Sequence, residues 1–335
     1  MFSALDSVKS IVCEDYSALS ESILRATEPV ILKGLVKAWP LVQHSQSSIV
    51  DSANYLRRFY NDKPVFAMVA DAKEKGRFFY NEDLTGFNFA RQQMNFRDLL
   101  DALIADEPSQ RKGLYVGSTS VDQILPGLRD AQNDIPQLSD KPLVSIWVGN
   151  QSRIAAHYDV TDNVACVAAG KRRFTLFGPE QLDNLYIGPL DFTPAGQPAS
   201  LVDFHQPDFI RFPKFKTALE HALVAELEAG DGIFIPSMWW HHVEALSDFN
   251  ILVNYWWRQV PNYVGVPSDA LNHAMLAIKS LPLEQREAWR HLFDYYVFRP
   301  AEQDHIPAHA RGMLDAIDEN SARKLRAVLL NKLNR

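Results

Sequence analysis

The sequence predicts a mainly β protein with flanking α, its centre a barrel or jelly roll. Three observations carry this. Short β-rich runs crowd the middle of the chain, Gly, Pro, Asn and Asp separate them, and no regular helical pattern falls between them. With 47% hydrophobic and 22% charged residues over 335, the chain can bury a large core and is not disordered.

The first hundred residues read as mixed. Residues 14–27 suggest a helix with Tyr16, Leu19 and Ile23 on one face, ended by Pro29. Val30–Leu32, Pro64–Val69 and Arg77–Tyr80 read as strands, and Phe96–Ala105 as a helix with Asn95 at its N-cap. The central runs are Leu114–Val116, Leu143–Val148, Ile154–Val160, Val164–Ala168, Arg173–Phe177, Gly232–Ile235 and Ile251–Trp257. Leu182–His221, rich in Pro and Phe, reads as an insertion-like connection. Beyond Pro261 the pattern turns helical. Ser268 is a cap candidate, Trp289, Leu292, Phe293 and Tyr296 share a face, and Ser321–Leu333 forms a last helix. The expected divisions are 1–112, an α/β segment packed on the core; 113–258, the β core; and 259–335, a helical block.

Composition excludes some functions. Lys+Arg number 34 against 41 Asp+Glu, a formal charge of −7, which disfavours bulk nucleic acid and anionic membranes. No run of 18 apolar residues suggests a membrane helix, and the N-terminus does not resemble a signal peptide, so the expected location is cytoplasmic. Cys13 and Cys166, far apart and outside any CxxC, read as buried hydrophobes.

The segment that carries chemistry is Ala156-His157-Tyr158-Asp159. Residues two apart on a strand share a face, so His157 and Asp159 would project together. A second histidine from a distant strand would complete two imidazoles and one carboxylate on one side of a metal. That arrangement leaves three positions open and typifies non-haem Fe(II) oxygenases. The third ligand lies in Trp239-Trp240-His241-His242, 84 residues further on, where only one of the two histidines can face the metal. His-x-Asp alone is weak, since a lone histidine is more often a satisfied polar group. The other histidines show no ligand spacing and read as surface or structural. Asp231 reads as a turn residue.

Several blocks in one order resemble the JmjC-type, cupin-like 2-oxoglutarate oxygenases. The branch most resembled contains the asparaginyl hydroxylase acting on hypoxia-inducible factor. The blocks are His157-Tyr158-Asp159, Asn163, Gly170-Lys171-Arg172-Arg173, Leu176-Phe177-Gly178-Pro179, Val202-Asp203-Phe204, Ile235-Pro236, Trp239-Trp240-His241-His242 and Val253-Asn254-Tyr255-Trp256. The resemblance implies a double-stranded β-helix with Fe(II) on His157, Asp159 and His241, leaving His242 outward or behind the ligands. It implies 2-oxoglutarate and O2 as co-substrates, with Tyr115, Asn163, Arg172 and Asn254 at the co-substrate, and Trp240 and Trp256 against the substrate. It also implies a homodimer through the C-terminal helices. The substrate is left open, with a protein or peptide side chain favoured over a small molecule.

Two departures stand out. Ile154 replaces a threonine that would hydrogen-bond the co-substrate, and Pro198-Ala199 replace an Arg-Gln pair that holds the hydroxylase's peptide, so asparagine hydroxylation is not carried over. Arg172 stands where that enzyme has lysine, and a guanidinium can grip a carboxylate in a bidentate fork. The rival readings are a cupin metalloenzyme that does not use 2-oxoglutarate, and a non-catalytic jelly-roll binding module.

Overall fold

A computed structural model describes residues 5–105, 111–138, 141–299 and 304–334. The reading of no signal peptide rests partly on residues 1–4, which lie outside this set. The chain divides into two compact units, Met1–Trp257 and Arg258–Arg335.

The first unit is a jelly roll of two sheets. Its strands are β1 (Asp6–Ser7), β2 (Ser10–Val12), β3 (Val30–Lys33), β4 (Val65–Ala70), β5 (Arg77–Phe78), β6 (Phe89–Met94), β7 (Gly113–Ser120), β8 (Leu143–Gly149), β9 (Ser152–Tyr158), β10 (Asp162–Ala169), β11 (Lys171–Phe177), β12 (Leu223–Glu228), β13 (Gly232–Ile235), β14 (Trp240–Ala245) and β15 (Asn250–Trp257). The smaller sheet runs β1-β12-β11-β14-β9-β5 and the larger β2-β3-β13-β10-β15-β8-β7-β4-β6. Between them pack Val167, Phe174, Leu176, Ile233, Ile235 and Leu252. The far face of the larger sheet carries a second core with Trp39, Leu41, Leu56, Phe96 and Leu99 from helices and turns of the N-terminal segment. Being covered on both sides, β10 is buried at every position and reads as a continuous apolar run rather than an alternating one.

Local chemistry explains the elements. Gly170, at φ +76°, turns β10 into β11, where a Cβ would lie 2.6 Å from the Phe249 carbonyl oxygen. Asp231 indeed shapes a turn: it accepts from the backbone N–H of Gly34 and Glu228 and pairs with Lys33 at 2.8 Å. The Asn95 side chain accepts from the Arg97 N–H at the start of helix Phe96–Ala105.

Some expectations need correction. The helix expected over residues 14–27 is only a 3-10 turn at Tyr16–Ala18 and one α-turn at Glu21–Leu24, because Ser20 restarts the chain between them. Sequence reading overlooked helices Pro40–Ser47 and Ile49–Arg57, where Pro40 opens the first and the Ser48 hydroxyl caps the second. It also overlooked β6 and β12, whose residues mix apolar with polar or charged ones.

In the second unit the longer helices are Pro267–Ile278, Leu283–Phe293 and Glu319–Leu333, with one π-turn at Asp294–Phe298 and short helical turns at Ala308–Arg311 and Gly312–Leu314. Ser268 does not cap the first, because the N-cap is Val266 and Pro267 takes the first turn. Asp318 closes a capping box with Ser321 on the last. No helix among the described residues is long and apolar enough to cross a membrane.

Candidate metal centre and its cavity

The register of β9 and β14 sets the site. His157 and His241 are direct cross-strand partners in this antiparallel pair, their ring centroids 4.5 Å apart. One step on, Val243 faces Ile154, so β9 holds one extra residue between Ile154 and His157. That bulge turns both Ile154 and His157 into the cavity, against simple alternation. The strand ends at Tyr158, and Asp159 follows in the connection, where its carbonyl accepts from the Met238 N–H at 2.8 Å. The two ligand-bearing segments are thus tied together by backbone on both sides of the histidine pair.

One ligand atom from each of His157, Asp159 and His241 lies within 4.8 Å of the others, and this is the only such cluster among the described residues. The donor set suits a divalent first-row metal. Each histidine's Nδ1 lies 2.9 Å from a carbonyl two residues back, of Ala155 and of Trp239. A carbonyl only accepts, so Nδ1 carries the hydrogen and Nε2 keeps its lone pair for a metal. Burial, and the facing His241, push the His157 pKa down, which favours the neutral imidazole a metal needs. The Asp159 carboxylate is oriented by two donors on Oδ2, Trp256 Nε1 at 3.0 Å and Asn163 Nδ2 at 3.2 Å. Behind Asn163 stands Asn254, 3.4 Å away, which in turn accepts from Trp147 Nε1 at 2.7 Å.

The cluster opens into a cavity of about 590 Å³, well within the size range of small-molecule sites. Arg172 and Tyr115 line it as well, both buried. Arg172 is 2% exposed, its Nε has no hydrogen-bond partner, and its guanidinium pairs with no carboxylate among the described residues. Burial pulls its pKa down, while it raises that of the Tyr115 phenol. An orphaned cation and a phenol inside a cavity are chemically suited to a carboxylate supplied from outside. Neighbouring Lys171 is solvent-exposed and bound to Glu228, so it does not compete for that role.

Sequence-derived residues therefore meet here with one exception. Trp240 is not in the cavity: it is 2% exposed on the opposite face of β14, edge-on to Tyr158 and packed near Phe177 and Phe204. Alternation along β14 explains this, since His241 faces inward. The same alternation sends His242 outward, its ring 4.5 Å from that of Phe204. Trp239 donates its indole N–H to the Thr27 carbonyl. Trp256 does line the cavity, and its bond to Asp159 adds a role in orienting a ligand. Among the cavity residues that escaped the sequence reading are Trp147, Met68, Phe66 and Arg91. For Trp147 the signal was present, since it alternates with Ser145 and Gly149 on one face of its strand; it stands opposite Leu252, and its indole N–H reaches Asn254.

Comparison with known proteins places these features. The cupin-like domain model matches residues 16–263. Among curated relatives, tRNA wybutosine-synthesizing protein 5 of Mus musculus is 35% identical over 146 residues, 39% of this chain and 43% of the relative. JmjC domain-containing protein D of Dictyostelium discoideum is 26% identical over 243 residues, 65% and 49% of the two chains. Lysine-specific demethylase 8 of Xenopus tropicalis is 22% identical over 260 residues, 75% and 52%. The chain spans about half the length of the curated relatives it matches. A jelly roll whose inner face joins two histidines and an aspartate, matched over most of its length by that domain model, belongs to the cupin-like domain family.

Proposed function

We propose that this chain is an Fe(II)- and 2-oxoglutarate-dependent oxygenase that hydroxylates a C–H bond of an organic substrate. The observation that carries the reading is Arg172: a buried guanidinium with no counter-ion among the described residues, in the same cavity as the two-histidine, one-carboxylate cluster. Relatives named as demethylases and as JmjC proteins support the oxygenase class.

His157 and His241 would hold iron through Nε2 and Asp159 through its carboxylate. Arg172 and Tyr115 would grip the distal carboxylate of 2-oxoglutarate. Asn163, Asn254 and Trp256 keep the aspartate and its surroundings in one orientation. When bound, iron and the co-substrate supply the oxidising power: 2-oxoglutarate and O2 become succinate and CO2 as one oxygen atom enters the substrate. The apolar walls, Phe174, Val243 and Leu252 among them, keep water out and offer few oxidisable polar groups. Ile154 also lines the cavity, so co-substrate binding leans more heavily on Arg172 than in an enzyme with threonine there.

The acidic balance of the chain favours a protein or peptide side chain, or a small molecule, over bulk nucleic acid. We further propose a cytoplasmic homodimer formed through the C-terminal helices. In the Arg258–Arg335 unit Leu271, Leu276 and Trp289 are 51%, 76% and 45% exposed, and light scattering on the purified chain tests the dimer.

The deciding experiment is an anaerobic titration of metal-free protein with Fe(II) and then 2-oxoglutarate. A weak visible charge-transfer band is expected for chelation at such a site, and it should vanish in His241→Ala. Iron binding without the band would favour a metalloenzyme that does not use 2-oxoglutarate. No metal binding would favour a non-catalytic module.

A further inference from the structure

The charge inventory of the cavity narrows the substrate, on the reading just given that Arg172 and the metal cluster are committed to co-substrate and iron. Among the described residues that line it, Asp159 is the only carboxylate, and it belongs to the metal cluster. No acid is left to receive an ammonium. One further cation is present: Arg91, on β6. It is exposed, and its guanidinium forms no ion pair or hydrogen bond with any described residue.

The strand register shows what lies beside it. Arg91 pairs with Met68 of β4, and Met68 pairs with Tyr115 of β7. Residues opposite one another share a face, so these three form a row across the larger sheet from solvent toward the co-substrate end. Phe66, two residues from Met68, adds a ring that is 64% exposed. Trp147 lies against Tyr115 at 6.0 Å and edge-on to Trp256 at 5.8 Å, so the row ends on an aromatic wall next to Asp159. A largely exposed phenylalanine beside an arginine with no partner among the described residues has no structural use on a monomer's surface. As the mouth of a cavity, it can cover a flat apolar group while the guanidinium takes an anion.

We infer that the substrate group entering this cavity is an apolar, aromatic-like body bearing a carboxylate or phosphate, with Arg91 as its anion receptor and Phe66, Met68, Trp147 and Trp256 as its bed. A methylated ammonium side chain is thereby disfavoured, although relatives of this chain carry demethylase names.

The test is calorimetric and needs no turnover. Protein saturated anaerobically with Fe(II) and 2-oxoglutarate is titrated with indole-3-acetate, 1-naphthyl phosphate, neutral indole-3-acetamide and cationic tryptamine. The anions should bind at least about fivefold more tightly than the amide, with tryptamine weakest. Whichever anion is the tighter assigns carboxylate or phosphate. In Arg91→Gln the anions should fall to the level of the amide. Equal binding of all four probes, a preference for tryptamine, or an anion preference that survives Arg91→Gln would overturn the inference while leaving the oxygenase reading intact. Conversely, protein that binds neither Fe(II) nor 2-oxoglutarate fails the oxygenase reading, and the same probe series on that protein still decides the role of Arg91.

Discussion

Replacing Arg172 by methionine separates a binding role from a structural one, because the two predict opposite changes in stability. The side chain is 2% exposed, pairs with no described carboxylate and leaves Nε without an acceptor. A buried cation in that state is a burden on the free fold, and an apolar side chain of similar length relieves it. The ligand-free variant should therefore melt at the same temperature as wild type or higher. Co-substrate binding should suffer. Removing one partner of a buried charge pair costs about 2–5 kcal/mol, which at about 1.4 kcal/mol per decade weakens 2-oxoglutarate by roughly 30-fold or more. Wild type at 100 times its dissociation constant gains about 2.7 kcal/mol from ligand, and at the same concentration the variant should keep under about 1 kcal/mol of this. Thermal melts of the Mn(II)-loaded protein with and without 2-oxoglutarate read both quantities at once. Clear destabilisation of the ligand-free variant with an undiminished 2-oxoglutarate response would refute the assignment and make Arg172 a structural residue.

Other expectations follow from single contacts. His157→Ala and Asp159→Ala should each abolish turnover and weaken Mn(II) binding by over about 100-fold in a calorimetric titration; retained activity would sink the triad. Trp256→Phe removes the 3.0 Å bond to Asp159 and should weaken metal binding about 10-fold with the fold unchanged, as losses of ligand-orienting contacts do. Burial lowers the pKa of His157 to about 4 and of His242 to about 3, below the ordinary value near 6.5. The unfolded chain therefore takes up protons first, so metal-free stability is full above pH 6.5 and falls as pH drops toward 4. Urea midpoints at pH 7.5 and 5 measure this, and His242→Phe, which removes two unpartnered ring nitrogens beside Phe204, should flatten the fall. Gly170→Ala should destabilise by more than about 1 kcal/mol, since φ is +76° and the Phe249 carbonyl blocks a Cβ.

What could be read from the sequence followed its local periods. Gly232–Ile235 forms the strand expected, and the other central runs agree to within a few residues, because apolar β-branched segments between turn residues have few alternatives. β6, reading Phe-Ala-Arg-Gln-Gln-Met, and β12, reading Leu-Val-Ala-Glu-Leu-Glu, stay hidden because their partners are strands remote in sequence and their own composition is mixed. The helices at 40–57 were missed for a related reason: their starts depend on Pro40 and the Ser48 cap, and their apolar faces make sense only against the far side of β10.

The site shows the same limit more sharply. Two-residue periodicity correctly allows only one of His241 and His242 to face inward, yet it cannot choose between them, and by the same rule Trp240 must leave the cavity with His242. Periodicity also fails at β9, where strict alternation would put Ile154 and His157 on opposite faces. The bulge that unites them exists only in the pairing with β14. Arg91 is the clearest case. Nothing in Ala90-Arg91-Gln92 distinguishes it from a solvated strand residue; only the register Arg91–Met68–Tyr115 carries a surface guanidinium to the mouth of a buried site. The metal cluster is thus legible because its residue types are rare and its spacing is local. The substrate surface is not, because it is built from common residues whose meaning depends on which strands become neighbours.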